Sequence, residues 1–415
     1  MSAPATLQAA VARELSAAET LLGDLIRQPS TSGLEHEAML RLDKAFREMG
    51  VEVERVALSD RLRDDPDYCD PIPDIRYDGR FNLRIAFKGH GGGRTLLMNS
   101  HVDVVPPSVD QPDPWNPRQE NGVVFGRGAC DAKGQIATIY LVYRVLKALR
   151  PDLAGDVLAH LVVEEENGGN GTMAMARRGE KADACVVLEP TSGKVLTSIR
   201  GAVWFKLVLS GRAGHSGQAG ITRSALLMAR DAIGILEKYH AGLLSRSRGF
   251  PLFDVYPNPM PITFGNLEAG NWPASAPSRA VLKGVLGLLP NVTKEQVCAE
   301  MRAALENCGD EFLAKNFELA FMYRHDSSVL DPAHDLPQGL LRAAAAMGTP
   351  AAVDAMTASC DAWFYNNQLG IPTVVYGPGT LKVAHSKDEQ IALADMAASA
   401  ATLVRFIMDY CGGKR

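Results

Sequence analysis

Residues 155–172 read GDVLAHLVVEEENGGNGT. The apolar run VLAHLVV stops abruptly at three glutamates and a glycine-rich turn. A short apolar run bounded by turn residues reads as a strand buried on both faces. Strands of that kind belong to parallel sheets covered by helices. In such sheets, binding residues gather at the carboxyl ends of the strands, which is where Glu164, Glu165 and Glu166 fall. Three like charges at a buried strand end are costly unless a cation offsets them. A solvated charge run is the ordinary alternative. It is weakened here by the strand directly before and the glycine turn directly after. Successive side chains on a strand face opposite ways, so the turn must twist to bring two glutamates inward. Glu166 is assigned as a metal ligand and Glu165 as a general base.

The same pattern recurs on either side. TLLMNSHVDVVP (95–106) is a buried strand ending in His101 and Asp103. Two residues apart on extended chain, these point the same way, and a metal-bound imidazole needs its second nitrogen held by an acceptor such as Asp103. GRGACDAKG (126–134) sets Asp131 in a strand-to-helix turn before the apolar helix 134–149. Its carboxylate can bridge two cations, although helix N-capping is the common task of an aspartate there. DACVVLEPT (183–191) closes on Glu189, and the loop after PTVVYGPG (372–379) carries His385. Taken singly, each histidine is as readily a core or loop residue. Together, two imidazoles and three carboxylates suit a pair of zinc-like ions sharing one carboxylate, and hence metal-assisted hydrolysis of an amide bond.

From about residue 199 the texture changes. AVWFKLVLSG alternates like a half-exposed strand, and the order that follows is helix, strand, strand, helix, strand. This β-α-β-β-α-β sequence predicts a ferredoxin-like α+β unit inserted into an α/β domain. The expected division is residues 1–198 and 326–415 for the metal-binding domain and 199–325 for the insert. The proline-rich stretch 59–80 reads as a long surface loop. His215, flanked by glycines, is placed at the start of the insert's first helix.

Composition narrows the function. A net charge of −5 with both signs dispersed leaves no basic stripe for nucleic acid. No stretch approaches the ~20 apolar residues that span a bilayer. Seven scattered cysteines without a C-x-x-C pair favour a reduced cytoplasm over a disulfide framework. GHSGQ and GHGGGR miss the serine-hydrolase and dinucleotide patterns by one residue each.

As a set, these motifs resemble the dinuclear-zinc metallopeptidase family of acetylornithine deacetylase, succinyl-diaminopimelate desuccinylase, aminoacylase and bacterial glutamate carboxypeptidase. The resemblance covers nearly the whole chain, with the motifs in the family's order. It implies a mostly parallel, zinc-exopeptidase-like sheet flanked by helices, with the insert acting as lid and dimerisation domain. It implies one ion on His101 and Glu189, the other on Glu166 and His385, with Asp131 bridging and a cis peptide after it. Zinc is the expected ion, with cobalt or manganese as alternatives. Glu165 would be the base, Asp103 would orient His101, and His215 would reach the site across a homodimer. Arg200, Asn271 and Gly379 sit where related enzymes hold substrate. Two departures stand out. The family's Asp-Glu-Glu reads Glu164-Glu165-Glu166 here, and its late D-x-R arginine, which grips a substrate carboxylate, has no counterpart in VLKGVLGLLPN (281–291). That grip is missing or moved to Arg200, Arg279 or Lys283. The implied activity is removal of an acyl group from an N-acylated amino acid or related amine. The alternatives are a dipeptidase or carboxypeptidase of the same family, and a non-catalytic dimeric binding protein on the same fold.

Overall fold

The computed structural model describes residues 4–72, 74–217 and 220–413. Its largest sheet has nine strands, ordered Glu52–Ala57, Phe81–Phe87, Val157–Val162, Leu96–His101, Ala184–Val187, Thr373–Val375, Val195–Ile199 and Ser328–Val329, with Val353–Met356 beside Val195–Ile199. The four central strands run parallel, as their unbroken apolar character predicts. Outside them the sheet becomes mixed, with antiparallel pairings on both sides.

Burial on both faces is visible residue by residue. Leu96 and Met98 belong to a core cluster under the helices Pro4–Ile26, Lys133–Leu149 and Leu393–Cys411. Leu97, between them, faces the opposite way, toward Leu158, Cys185, Val187 and Tyr365. Period-two alternation with no polar phase is what a sheet covered on both sides requires. Among the described residues no helix is long and apolar enough to cross a membrane.

The stretch 59–80 departs from the expected surface loop. It contains a short helical turn, Asp60–Asp64, and buries Cys69, Ile75 and Tyr77. The reason is polar, because the Tyr77 hydroxyl donates to Glu164 Oε2 at 2.9 Å, deep beneath the glutamate turn.

A second, four-stranded antiparallel sheet is ordered Ile262–Ala269, Arg279–Leu288, Gly201–Ser210 and Phe317–His325. In chain order that is second, third, first, fourth, the ferredoxin-like arrangement. Helices Ala225–Arg246 and Lys294–Glu306 cover one face through a separate apolar core containing Phe205, Leu207, Leu282, Leu236 and Met301. The other face meets the first unit at one end, where Ala202 and Tyr323 pack on Cys69.

Candidate metal centre

Four of the five candidate ligands come from the carboxyl ends of parallel strands or the turns that follow them. His101 ends the strand Leu96–His101. Glu166 lies just beyond Val157–Val162, Glu189 just beyond Ala184–Val187, and His385 on the loop after Thr373–Val375. Asp131, the fifth, precedes the helix Lys133–Leu149, whose N-cap position is Ala132. Asp131 is therefore free of capping duty, and the peptide after it is cis.

Asp131 stands between the two imidazoles. Its Oδ1 lies 3.2 Å from His101 Nε2 and its Oδ2 lies 3.3 Å from His385 Nε2. Glu189 Oε1 approaches His101 Nε2 at 3.6 Å, and Glu166 Oε1 approaches His385 Nε2 at 3.0 Å. Glu165 Oε2 is 3.9 Å from His101 Nε2. Ligand atoms of His101, Glu165 and Glu189 lie within 4.8 Å of one another, as do those of Asp131, Glu166 and His385. His101 Nε2 is buried and makes no well-directed hydrogen bond despite the surrounding oxygens. A nitrogen lone pair facing several carboxylates is completed by a cation, so the donor set fits two divalent ions sharing Asp131.

The electrostatics fit the same reading. Burial pushes the carboxyl groups of Glu165, Glu166 and Glu189 above their ordinary range. Neighbouring negative charge adds to the rise, from Asp361, Glu189 and Glu166 in the case of Glu165. Burial opposes charging of His385, but Asp131 and Glu166 outweigh it and hold the imidazole up at about 11. Such a cluster of acids is unfavourable alone and favourable around cations.

The twist demanded of the glutamate run occurs at Glu164, whose φ is +62°. This turns Glu165 and Glu166 toward the centre and sends Glu164 the other way. There it is fully buried, paired with Arg80 and accepting from Tyr77 and from Asn170 Nδ2 at 2.8 Å. Asp103 holds the turn in place. Its carboxylate accepts from the backbone N–H groups of Glu165 and Glu166, each at 3.1 Å. His101 Nδ1 lies 2.9 Å from the Asp103 carbonyl oxygen and 3.4 Å from its carboxylate.

Two buried acids close to the proposed ligands escaped the sequence reading. Glu389 Oε1 accepts from the N–H groups of Cys130 and Asp131 at 3.1 and 3.0 Å, while Oε2 pairs with buried Arg127 at 2.5 Å. Its only signal was a carboxylate four residues after His385, inside the polar run HSKDEQ, where burial is not legible. Asp361 accepts from Thr172 Oγ1 at 2.5 Å, and burial pushes it up to about 7.

Other predicted residues lie elsewhere. His215 is exposed on a two-residue ribbon with Ser275, ten positions before the helix it was expected to open. Its Nδ1 accepts from the Gly217 N–H at 3.1 Å. Asn271 is exposed beside the same ribbon. Arg200 donates to the carbonyl oxygens of Thr357 and Gly201 and lies over Gly287; burial lowers it to about 10. Within this chain none of these three makes a hydrogen bond or ion pair to the five ligands among the described residues. Gly379 lies closer, with φ +73° and Cys130 Sγ 2.7 Å from where a Cβ would stand.

Residues 97–409 match the model of peptidase family M20/M25/M40. The chain belongs to this family. N-formyl-4-amino-5-aminomethyl-2-methylpyrimidine deformylase of Bacillus subtilis is 27% identical over 354 residues, covering 77% of this chain and 80% of the relative. The di-peptidase Dug1p of Saccharomyces cerevisiae superposes with a TM-score of 0.81 over 99% of both chains at 13% identity. Human carnosine dipeptidase 1 does so with 0.79 over 98% of this chain and 99% of its own, at 15%. As a member of the family, the chain is a metal-dependent amidohydrolase, a hydrolase that cuts amide bonds, and its two clusters of donor atoms are those that could hold two divalent ions.

Proposed function

We propose that the chain is an N-deacylase that cleaves the amide between a small acyl group and an amine, using two zinc ions. The observation that carries the hydrolytic reading is Asp131, with one carboxylate oxygen toward each imidazole, beside the unshared carboxyl of Glu165. The deacylase choice rests on two deformylase relatives, 27% and 26% identical over 77% of this chain; the alternative of a carboxypeptidase is favoured by a probable carboxypeptidase of Arthroderma gypseum, 26% identical over 80% of it. His101 and Glu189 would hold one ion, Glu166 and His385 the other, and Asp131 would be shared between them.

When bound there, the ions would supply Lewis acidity and would lower the pKa of water toward ~7. Glu165 accepts a proton from the attacking water and returns it to the leaving amine nitrogen. Asp103, through the N–H groups of Glu165 and Glu166, keeps base and ligand at fixed separation. His215, exposed and away from its own centre, is supplied by a second copy of the chain and donates to the developing oxyanion. The four-stranded unit is thus lid and dimerisation domain. Arg200, Asn271 and Gly379 line the substrate's path. Seven free cysteines fit a cytoplasmic home.

The test is amine release from N-acyl amino acids, N-acyl amines and dipeptides by zinc-loaded protein, with Glu165→Ala as the blank. Turnover of N-acyl compounds absent from the blank supports a deacylase; cleavage of dipeptides alone makes the chain a dipeptidase.

A further inference from the structure

The second face of the four-stranded sheet poses a question that the metal centre leaves unanswered. Register decides which side chains share it. Trp204 pairs with Val285, Lys206 with Lys283 and Val208 with Val281 across neighbouring strands, and directly opposed residues point to the same side. Tyr323 and His325, opposite Trp204 and Ala202, belong to that side too. Tyr323 lies 2.9 Å from where a Cβ of Gly168 would stand, two residues after Glu166, and His325 stacks on Trp363 at 4.4 Å. This face is therefore turned toward the domain that carries the metal centre.

Near the hinge the two units close on each other. Further out they separate, leaving a cavity of about 250 Å³ between Pro71 on one side and Trp204, Asn266, Lys283, Val285 and Met322 on the other. Whole ligand pockets run to about 300–1,000 Å³, so this one receives part of a molecule. Its wall is apolar at Trp204, whose ring lines the cavity and stacks on Tyr323 at 5.4 Å.

The charges beside it are unbalanced. Lys206 and Lys283 stand directly opposite each other, an arrangement that costs free energy on a sheet. Neither ammonium has an ion-pair or hydrogen-bond partner among the described residues. Glu268 and Glu318 lie one row further along, opposite Val281 and Val208, and are exposed with no pairing to either lysine. Two half-buried ammonium groups next to an aromatic wall are a receptor for an anion carried on an apolar body.

We propose that this cavity is a specificity subsite, in which the part of the substrate remote from the scissile amide lays a planar or apolar group on Trp204 and a carboxylate on Lys283 and Lys206. The inference rests on the amide-hydrolysis reading and adds the substrate class, amides bearing an anionic substituent. It also supplies a carboxylate grip in a chain without the lid arginine.

The experiment is calorimetric binding of 4-acetamidobenzoate and of its uncharged counterpart 4-acetamidobenzamide to the metal-loaded Glu165→Ala protein, which reads binding without turnover. The carboxylate should bind roughly tenfold more tightly than the carboxamide, the gain of one charge-assisted contact of ~1.4 kcal/mol. Lys206→Met/Lys283→Met should erase that ratio and leave carboxamide binding unchanged. Trp204→Leu should weaken both compounds alike. An undiminished ratio in the double lysine variant overturns the subsite, as does a ratio lost only in Arg200→Met, which puts the grip at the hinge. If the ratio behaves as expected but the wild-type protein hydrolyses neither compound nor any other N-acyl amide, the subsite stands and the deacylase reading falls.

Discussion

At the scale of single residues, the glutamate triplet divides three ways. Glu166 approaches His385, Glu165 remains unshared, and Glu164 is consumed in structure. Glu165→Ala removes the proton carrier but no proposed ligand, so turnover should fall by about 10²–10⁴ while bound metal, measured by elemental analysis, stays at two per chain. Glu164 sits in a buried triad where Arg80 serves two carboxylates, Glu164 and Glu35, the latter at 2.7 Å. One positive charge cannot balance both. Burial pushes Glu35 up to about 8, against Arg80 and with help from Asp103 and Glu164. The folded state thus holds a proton that the unfolded state, at an ordinary carboxyl value near 4.5, has released. That contribution to stability is complete below about 4.5 and is lost as pH rises through about 8. Urea midpoints of the metal-saturated protein should fall between pH 7 and 9, and Glu35→Gln should flatten the slope. A parallel decline in the variant would sink the assignment.

At the scale of elements, ligand geometry is set by loops tied to one another. Glu389 belongs to the loop of His385 and grips the backbone of Cys130 and Asp131, so it fixes the distance between two proposed ligands of one ion. Glu389→Ala leaves both N–H groups and the Arg127 guanidinium unpaired in the interior. Metal affinity, read by competition with a chromophoric chelator, should drop about 10–100-fold. Strand Leu96–His101 was legible because its apolar run has no polar phase. The strands Val195–Ile199 and Val353–Met356, toward one edge of the sheet, are shorter, and their polar residues hid them. The buried half of 59–80 was hidden likewise, because Asp, Pro and Arg dominate a segment whose few apolar and aromatic side chains turn inward beneath Glu164.

At the scale of the whole molecule, the proposed centre needs a residue that one chain does not bring to it. His215 stands exposed on the small sheet's ribbon. If a second copy supplies it, Glu165→Ala and His215→Ala mixed and re-equilibrated should regain activity that neither shows alone, because one of the two sites in the mixed dimer is intact. No recovery in a demonstrated mixed dimer would place His215 outside the chemistry.

What the sequence by itself determined is the part written in short-range pattern. Apolar strands broken by a ligand or a glycine turn specify a covered sheet, and the ligands fall at strand ends because side chains there are freed from packing on either face. The ferredoxin-like order follows from the alternation of periods two and 3.6. Tertiary structure alone decided which glutamate turns outward, since a positive φ at Glu164 is set by the triad it joins from residues 35 and 80. It alone decided that Glu389 is buried and that Lys206 and Lys283 stand opposite each other on adjacent strands of the small sheet. Those facts depend on partners distant in sequence, and a polar residue carries no local mark of whether water or another side chain will satisfy it.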